Sequence, residues 1–230
     1  ARYGIAVNVH EPIKDTGIRR TWPNMVTREG ARGQEFNAWG GDGGNPPEHE
    51  TLLPFTRMLA APMDFTPGIF ALERGREEQN RVNTTLAKQL ALYVVYYSPL
   101  QMAADFPENY QGNAAFQFIR DVPVDWSETV ALNGEIGEYL TVARKDRASD
   151  DWYLGAVTDE EGRELEVRLS FLDPGRPYLA EIYADGAGAH WVTAPYEVEI
   201  GRQRVDSGTV LTLKLAPGGG QAIRIRPVDE

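Results

Sequence analysis

The sequence predicts two kinds of fold in tandem: an α/β segment with a parallel sheet over residues 1–121, then an antiparallel β-sandwich over 122–230. Three observations predict it. Up to Asp121, short apolar runs alternate with helical stripes, the order of a parallel sheet with helices between its strands. Beyond it come seven short runs without a helix, most alternating apolar and polar residues. Between them lies ArgAspValProValAspTrp at 120–126, where one pattern gives way to the other.

The totals exclude some functions. A net charge of −11 leaves no basic patch to neutralise phosphates, which argues against nucleic acid as a partner. A hydrophobic fraction of 42% and a charged fraction of 25% are ordinary for a globular protein, and no stretch has the length of a membrane span. The absence of cysteine rules out disulfides and thiolate metal sites. Oxygen ligands remain, so an acidic site for a hard cation stays open. Ala1 is not an initiator Met, and an apolar run starts within two residues, which reads as a fragment of a longer protein.

Residues 2–9 are expected to form a buried strand with Tyr3, Ile5, Val7 and Val9 on one face. Pro12 should end it and hold Glu11 extended, at a strand's carboxyl end. MetValThrArgGlu at 25–29 predicts a second strand ending at Glu29, and Gly30 and Gly33 allow bends before Glu35. The loop at 40–47 is rich in breakers but lacks the Lys-Ser/Thr of a phosphate cradle. A short helix over 49–61 should lead into a strand or extended loop through Phe70. Asp64 lies there, and a turn residue bonding local backbone is its plainer reading. Thr84 to Tyr97 is the clearest helix, capped by Thr84 or Thr85, with Leu86, Leu90, Val94 and Tyr97 as its stripe. The cap also explains Asn83-Thr84-Thr85 better than glycosylation does. Residues 99–104 should be a short buried strand with Asp105 at its end, followed by a helix near Asn113 to Ile119.

The seven later runs are 138–144, 152–157, 164–171, 178–184, 196–200, 209–215 and 221–227. AsnGly at 133–134, AspGluGluGly at 159–162 and AspProGly at 173–175 read as turns between strands, and Gly218 to Gly220 as a hairpin or bulge.

The chemistry concentrates in 10–37. Glu11 and Glu29, at neighbouring strand ends, can face one mouth, and Glu35 follows closely. Such acids can hold a calcium ion, or divide into the acid and base of glycoside hydrolysis. A bound cation would keep Glu11 ionised as a base, while a less tightly coordinated Glu35 could keep its proton. The bland alternative is a set of surface salt bridges with Arg19, Arg20 and Arg32. His10 shares a cavity with Glu11 only if the strand has already twisted out there.

HisGluPro at 10–12, AspThrGly at 15–17, ArgArgThrTrpProAsn at 19–24, ThrArgGluGlyAlaArgGlyGlnGlu at 27–35 and LeuProPheThrArgMetLeuAlaAlaProMetAspPheThrProGlyIlePhe at 53–70 resemble the α-glucosidases of glycoside hydrolase family 97. The resemblance runs through 120–126 and the β-rich tail. It implies that 1–121 is the C-terminal part of a (β/α)8 catalytic barrel and 122–230 a C-terminal β-sandwich. It implies a calcium-dependent hydrolase of α-glucosides, with Glu35 as general acid and Glu11 as general base and calcium ligand. Glu29 and Glu35 complete the metal contacts from this segment, and His10 and Glu11 would contact the sugar. Glu11 tilts the expectation toward inversion; α-galactosidases and a retaining branch are the alternatives within the family. The remaining calcium ligand and a further base or nucleophile would lie in missing upstream domains, so the segment alone should be inactive. The family likeness also implies a periplasmic or secreted bacterial protein. A non-catalytic carbohydrate-binding protein is the reading from another class, with Trp126, Trp152 and Trp191 as stacking candidates, although at least two should be packing residues.

Overall fold

The computed structural model describes residues 2–11, 13–39, 43–73 and 81–228. It begins with a parallel pair, β1 (Val7–Val9) and β2 (Met25–Arg28). Met63 bridges Arg28 in parallel as a third position. The ladder continues past the strand ends: Glu29 N–H donates to the Val9 carbonyl at 3.0 Å, and Asp64 N–H to the Arg28 carbonyl at 3.1 Å. Three carboxyl ends thus lie side by side. The first strand is shorter than expected, and its Tyr3 and Ile5 are 77% and 62% exposed rather than buried. β1 has β2 as its strand partner, and nothing described covers its outer end.

Two short helices follow, α1 (Phe36–Trp39) and α2 (Pro47–Leu52), with 3-10 turns over Leu53–Phe55 and Arg57–Leu59. Together the last three cover the expected 49–61 helix, broken because Pro54 lacks the N–H a continuous helix needs. α3 (Leu86–Val95) is the helix predicted there, and Thr85 caps it by accepting from Lys88 N–H. All ten of its residues are buried, so it has no solvent face rather than a single stripe. The strand expected at 99–104 is absent. Leu100 and Met102 are exposed, and the segment crosses the surface with no strand beside it. α4 (Pro107–Tyr110) and α5 (Phe116–Asp121) complete this half.

The second half is antiparallel. A six-stranded sheet runs β3-β4-β5-β10-β7-β8, from β3 (Trp126–Glu135), β4 (Tyr139–Asp146), β5 (Trp152–Thr158), β7 (Tyr178–Asp185), β8 (Val198–Val205) and β10 (Gly220–Pro227). β6 (Arg163–Arg168) pairs with β9 (Val210–Leu215) as a second layer. AsnGly at 133–134 is not a turn: it lies inside β3, opposite Thr141 and Leu140. The hairpin reverses instead at 136–138, where Gly137 takes φ 80°. Gly218 and Gly219 form neither hairpin nor bulge; they carry the chain from the β6–β9 layer to the large sheet.

The large sheet is covered on both faces. Leu154, Ala156, Ile223 and Ile225 pack with Leu211, Leu213 and Leu215 of the small layer. Tyr153, Val157 and Ala222 pack with Leu90, Ala91 and Val94 of α3. This explains why β5 reads as an unbroken buried run instead of alternating. The close approach of α3 needs glycine: a Cβ at Gly155 would lie 2.7 Å from the Ala91 carbonyl oxygen, and one at Gly220 would lie 2.8 Å from Lys88 Cα. The expected border near 121–122 falls where α5 gives way to β3, and one apolar core spans it.

Candidate active site

The site is built on the three parallel ends. His10 follows β1, Glu29 follows β2 and Asp64 follows Met63. Asp64 is 0% exposed. Its Oδ1 accepts the Thr66 N–H at 3.1 Å, the local bond its plainer reading expected. Its Oδ2 does more: His10 Nε2 bonds to it at 2.8 Å, and Asn8 Nδ2 donates to it as well. A sequence search for acids finds Asp64 but not this second role, which depends on residues more than fifty positions away.

Glu11 is not extended. It has φ 58°, a left-handed backbone, so the strand has turned out by this point. Pro12 itself lies outside the described residues. The Glu11 N–H donates to Glu29 Oε2 at 3.0 Å. This joins the two strand ends, and the Glu11 side chain is left exposed. Glu29 is buried. Space for it comes from Gly33, where a Cβ would stand 2.3 Å from Glu29 Oε1. The Glu29 backbone is fixed by the buried Arg57, which donates to the carbonyls of Glu29 at 3.0 Å, Arg28 at 2.9 Å and Ala61 at 3.1 Å.

Glu35 is exposed, but its backbone is anchored through Gln34. Gln34 and Gln89 of α3 exchange amide hydrogen bonds at 2.9 and 3.0 Å, and Gln34 N–H donates to the Phe65 carbonyl at 3.0 Å. Glu35 Oε1 lies 3.7 Å from His10 Nδ1 and lines a cavity of about 590 Å³ with Trp39, Thr66, Ile69 and Arg81. Burial opposes charge on His10, but the Asp64 hydrogen bond and the charges of Asp64, Glu29 and Glu35 outweigh it and raise its pKa above the usual value.

His10 therefore gathers the expected residues, with Glu29 and Glu35 both close enough to act on it. Among the described residues, no group of three or more His, Asp or Glu side chains stands close enough to hold a metal. The salt-bridge alternative goes elsewhere for two of the arginines: Arg19 pairs with buried Asp15 at 2.9 Å, and Arg32 lies over the Phe36 ring at 4.8 Å. Trp126 and Trp152 are core residues, which leaves Trp191 as a half-buried candidate for ligand contact.

A family model described as glycosyl-hydrolase 97 C-terminal, oligomerisation, matches residues 125–226, and one described as glycoside hydrolase 97 matches residues 1–31. A solved glycoside hydrolase family 97 enzyme from a Pseudoalteromonas species, in complex with panose, is 57% identical and superimposes with a TM-score of 0.94 over 99% of this chain and 36% of its own. This chain belongs to glycoside hydrolase family 97. The same Pseudoalteromonas enzyme has also been solved with acarbose. Among curated proteins, a retaining alpha-galactosidase of Bacteroides thetaiotaomicron is 35% identical over 98% of this family 97 chain and 34% of its own length. A probable retaining alpha-galactosidase of Streptomyces bingchenggensis is 34% identical over 81% of the chain and 27% of its own length. The chain thus spans about a quarter to a third of the length of the curated relatives it matches.

Proposed function

We propose that this chain is the C-terminal part of a catalytic barrel with its trailing sandwich, from an enzyme that hydrolyses α-glucosides by acid and base catalysis. The carrying observation is the row made by two parallel strand ends and the bridged Met63, which brings His10, Glu29 and Asp64 side by side, with Glu35 against His10. Functional side chains collect at the carboxyl ends of barrel strands. The exposed Tyr3 and Ile5 support a barrel wall completed by strands from upstream domains. The 57% identical relative bound to panose supports a glucoside over other sugars.

Glu35 acts as general acid, protonating the departing oxygen, with His10 beside it orienting the sugar. Glu11 acts as general base toward water, giving inversion. Its left-handed backbone turns it off the strand. Glu11, Glu29 and Glu35 would contribute to a calcium site. Their donor type fits a hard cation, and Asn8 Oδ1 nearby is a buried oxygen with no hydrogen-bond partner. Among the described residues no such cluster is assembled; this reading assigns the remaining ligands to upstream domains and expects the segment by itself to be inactive. Calcium would supply charge stabilisation for an ionised Glu11. We read the enzyme as periplasmic or secreted, a reading supported by its likeness to family 97 alone.

The test is Glu35→Gln in the full-length polypeptide. It should cut hydrolysis of panose by about 10²–10⁴-fold while sparing aryl glucosides with good leaving groups. Equal loss on both substrates defeats the acid assignment. The two curated relatives favour a second reading, a retaining enzyme acting on α-galactosides. NMR of the first anomer released from each sugar decides between them.

A further inference from the structure

The cavity at Glu35 does not end there. Arg81 lines it, and Arg81 also lines a second cavity of about 620 Å³ together with Arg32, Phe36, Glu160, Trp191 and Val192. Glu160 follows β5, and Trp191 and Val192 lie on the loop between β7 and β8, so this second cavity is walled partly by the sandwich. Aromatic rings mark the route. Trp39, 70% exposed, borders the Glu35 end. It meets Phe36 edge-to-face at 5.3 Å, and Phe36 opens onto the far cavity beside Trp191. Arg81 fixes the junction: its guanidinium donates to the Trp191 and Val192 carbonyls and lies 5.8 Å from the centre of the Trp191 ring. Its Nε is buried without a hydrogen-bond partner, an unused donor at the point the two cavities share.

We infer that these cavities form one oligosaccharide groove, in which the leaving-group sugars of the substrate extend from Glu35 over Trp39 and Phe36 to Trp191 on the sandwich. The inference rests on the glycosidase reading and adds a role for the β7–β8 loop in choosing substrate length. Sugar rings present apolar faces to aromatic rings and hydroxyls to fixed donors, and this groove alternates the two. Trp191 is held for the task from below: a Cβ at Gly218 would lie 2.5 Å from its Cβ. Arg32, 4.8 Å from the centre of the Phe36 ring, and Arg81 bring guanidinium groups to the same lining.

The experiment compares kcat/KM for panose with that for 4-nitrophenyl α-glucoside in the full-length polypeptide. Trp39→Ala and Trp191→Ala should each lower the panose value about tenfold more than the aryl value, which corresponds to the loss of one aromatic contact of about 1.4 kcal/mol. The extra loss should appear in KM rather than kcat. If Trp191→Ala does not fold because Gly218 loses its cover, Arg32→Ala, on an exposed side chain, reports on the same end. Equal losses on the two substrates, or none, overturn the groove. If the unmodified enzyme cleaves neither substrate, the glycosidase reading itself has failed and the groove falls with it.

Discussion

Two regions of this molecule collect charge, and they treat it in opposite ways. Between α3 and the large sheet, Lys88 is fully buried, pairs with Glu50 at 2.8 Å and donates to the Pro47 and Thr158 carbonyls at 3.0 and 2.9 Å. Close by, Asp185 accepts from the Ala216 and Gly220 backbone at 2.9 and 2.8 Å. At the strand ends, by contrast, Glu11 and Glu35 stand exposed and Asn8 Oδ1 is unpaired. The first region pairs its charges within the chain and so fixes a joint, with Asp185 Oδ1 a buried oxygen left without a hydrogen-bond partner. The second leaves acceptors free, as a site that receives a ligand must. Buried charge alone is therefore a poor guide to catalysis; acids exposed beside a buried, unpartnered acceptor are the better one.

The comparison can be broken at the joint first. Lys88→Ala strands a buried Glu50 and two carbonyls, so it should cost about 3–5 kcal/mol of stability by denaturant melt. A loss under about 1 kcal/mol would show that water replaces the ammonium and that the joint is not sealed. Burial already raises the Glu50 pKa, opposed by Lys88, so the orphaned carboxyl would take up a proton more readily still.

Asp185 sharpens the contrast through pH. Burial pushes its pKa up from 3.8 to about 6, against the pull of its backbone donors and Lys88. The folded state then holds a proton that the unfolded chain has lost, so this residue makes stability fall as pH rises from about 4 to 6, by about 3 kcal/mol in all. Asp185→Asn keeps an acceptor for the two N–H groups and should flatten that slope. A slope unchanged in the variant would assign it to other groups.

The smallest effect belongs to the site. Glu11 holds a left-handed backbone at φ 58°, which glycine adopts without strain. Glu11→Gly should raise the unfolding free energy by up to about 1 kcal/mol, because that strain is released. Destabilisation instead would mean that the Glu11 side chain supports the fold.

By itself, the sequence determined the order of the elements and their chemical type. The capped helix at α3, the seven later strands, the ends of β1 and β2 and the acids beside them all follow from local spacing, because period and turn chemistry act within a few residues. The eighth strand, β3, was hidden by Asn133-Gly134, a turn signal overruled by pairing with β4. The strand expected at 99–104 had the composition of one but no strand beside it; its Ala104 N–H bonds the loop carbonyl of Pro67 instead. What joins Asp64 to Asn8 and His10, Gln34 to Gln89, and Arg81 to the Trp191 loop spans from 54 to 111 residues of chain. Only the tertiary structure decided those contacts, because a side chain's partner across such distances is set by how the layers pack and not by what lies next to it in the chain.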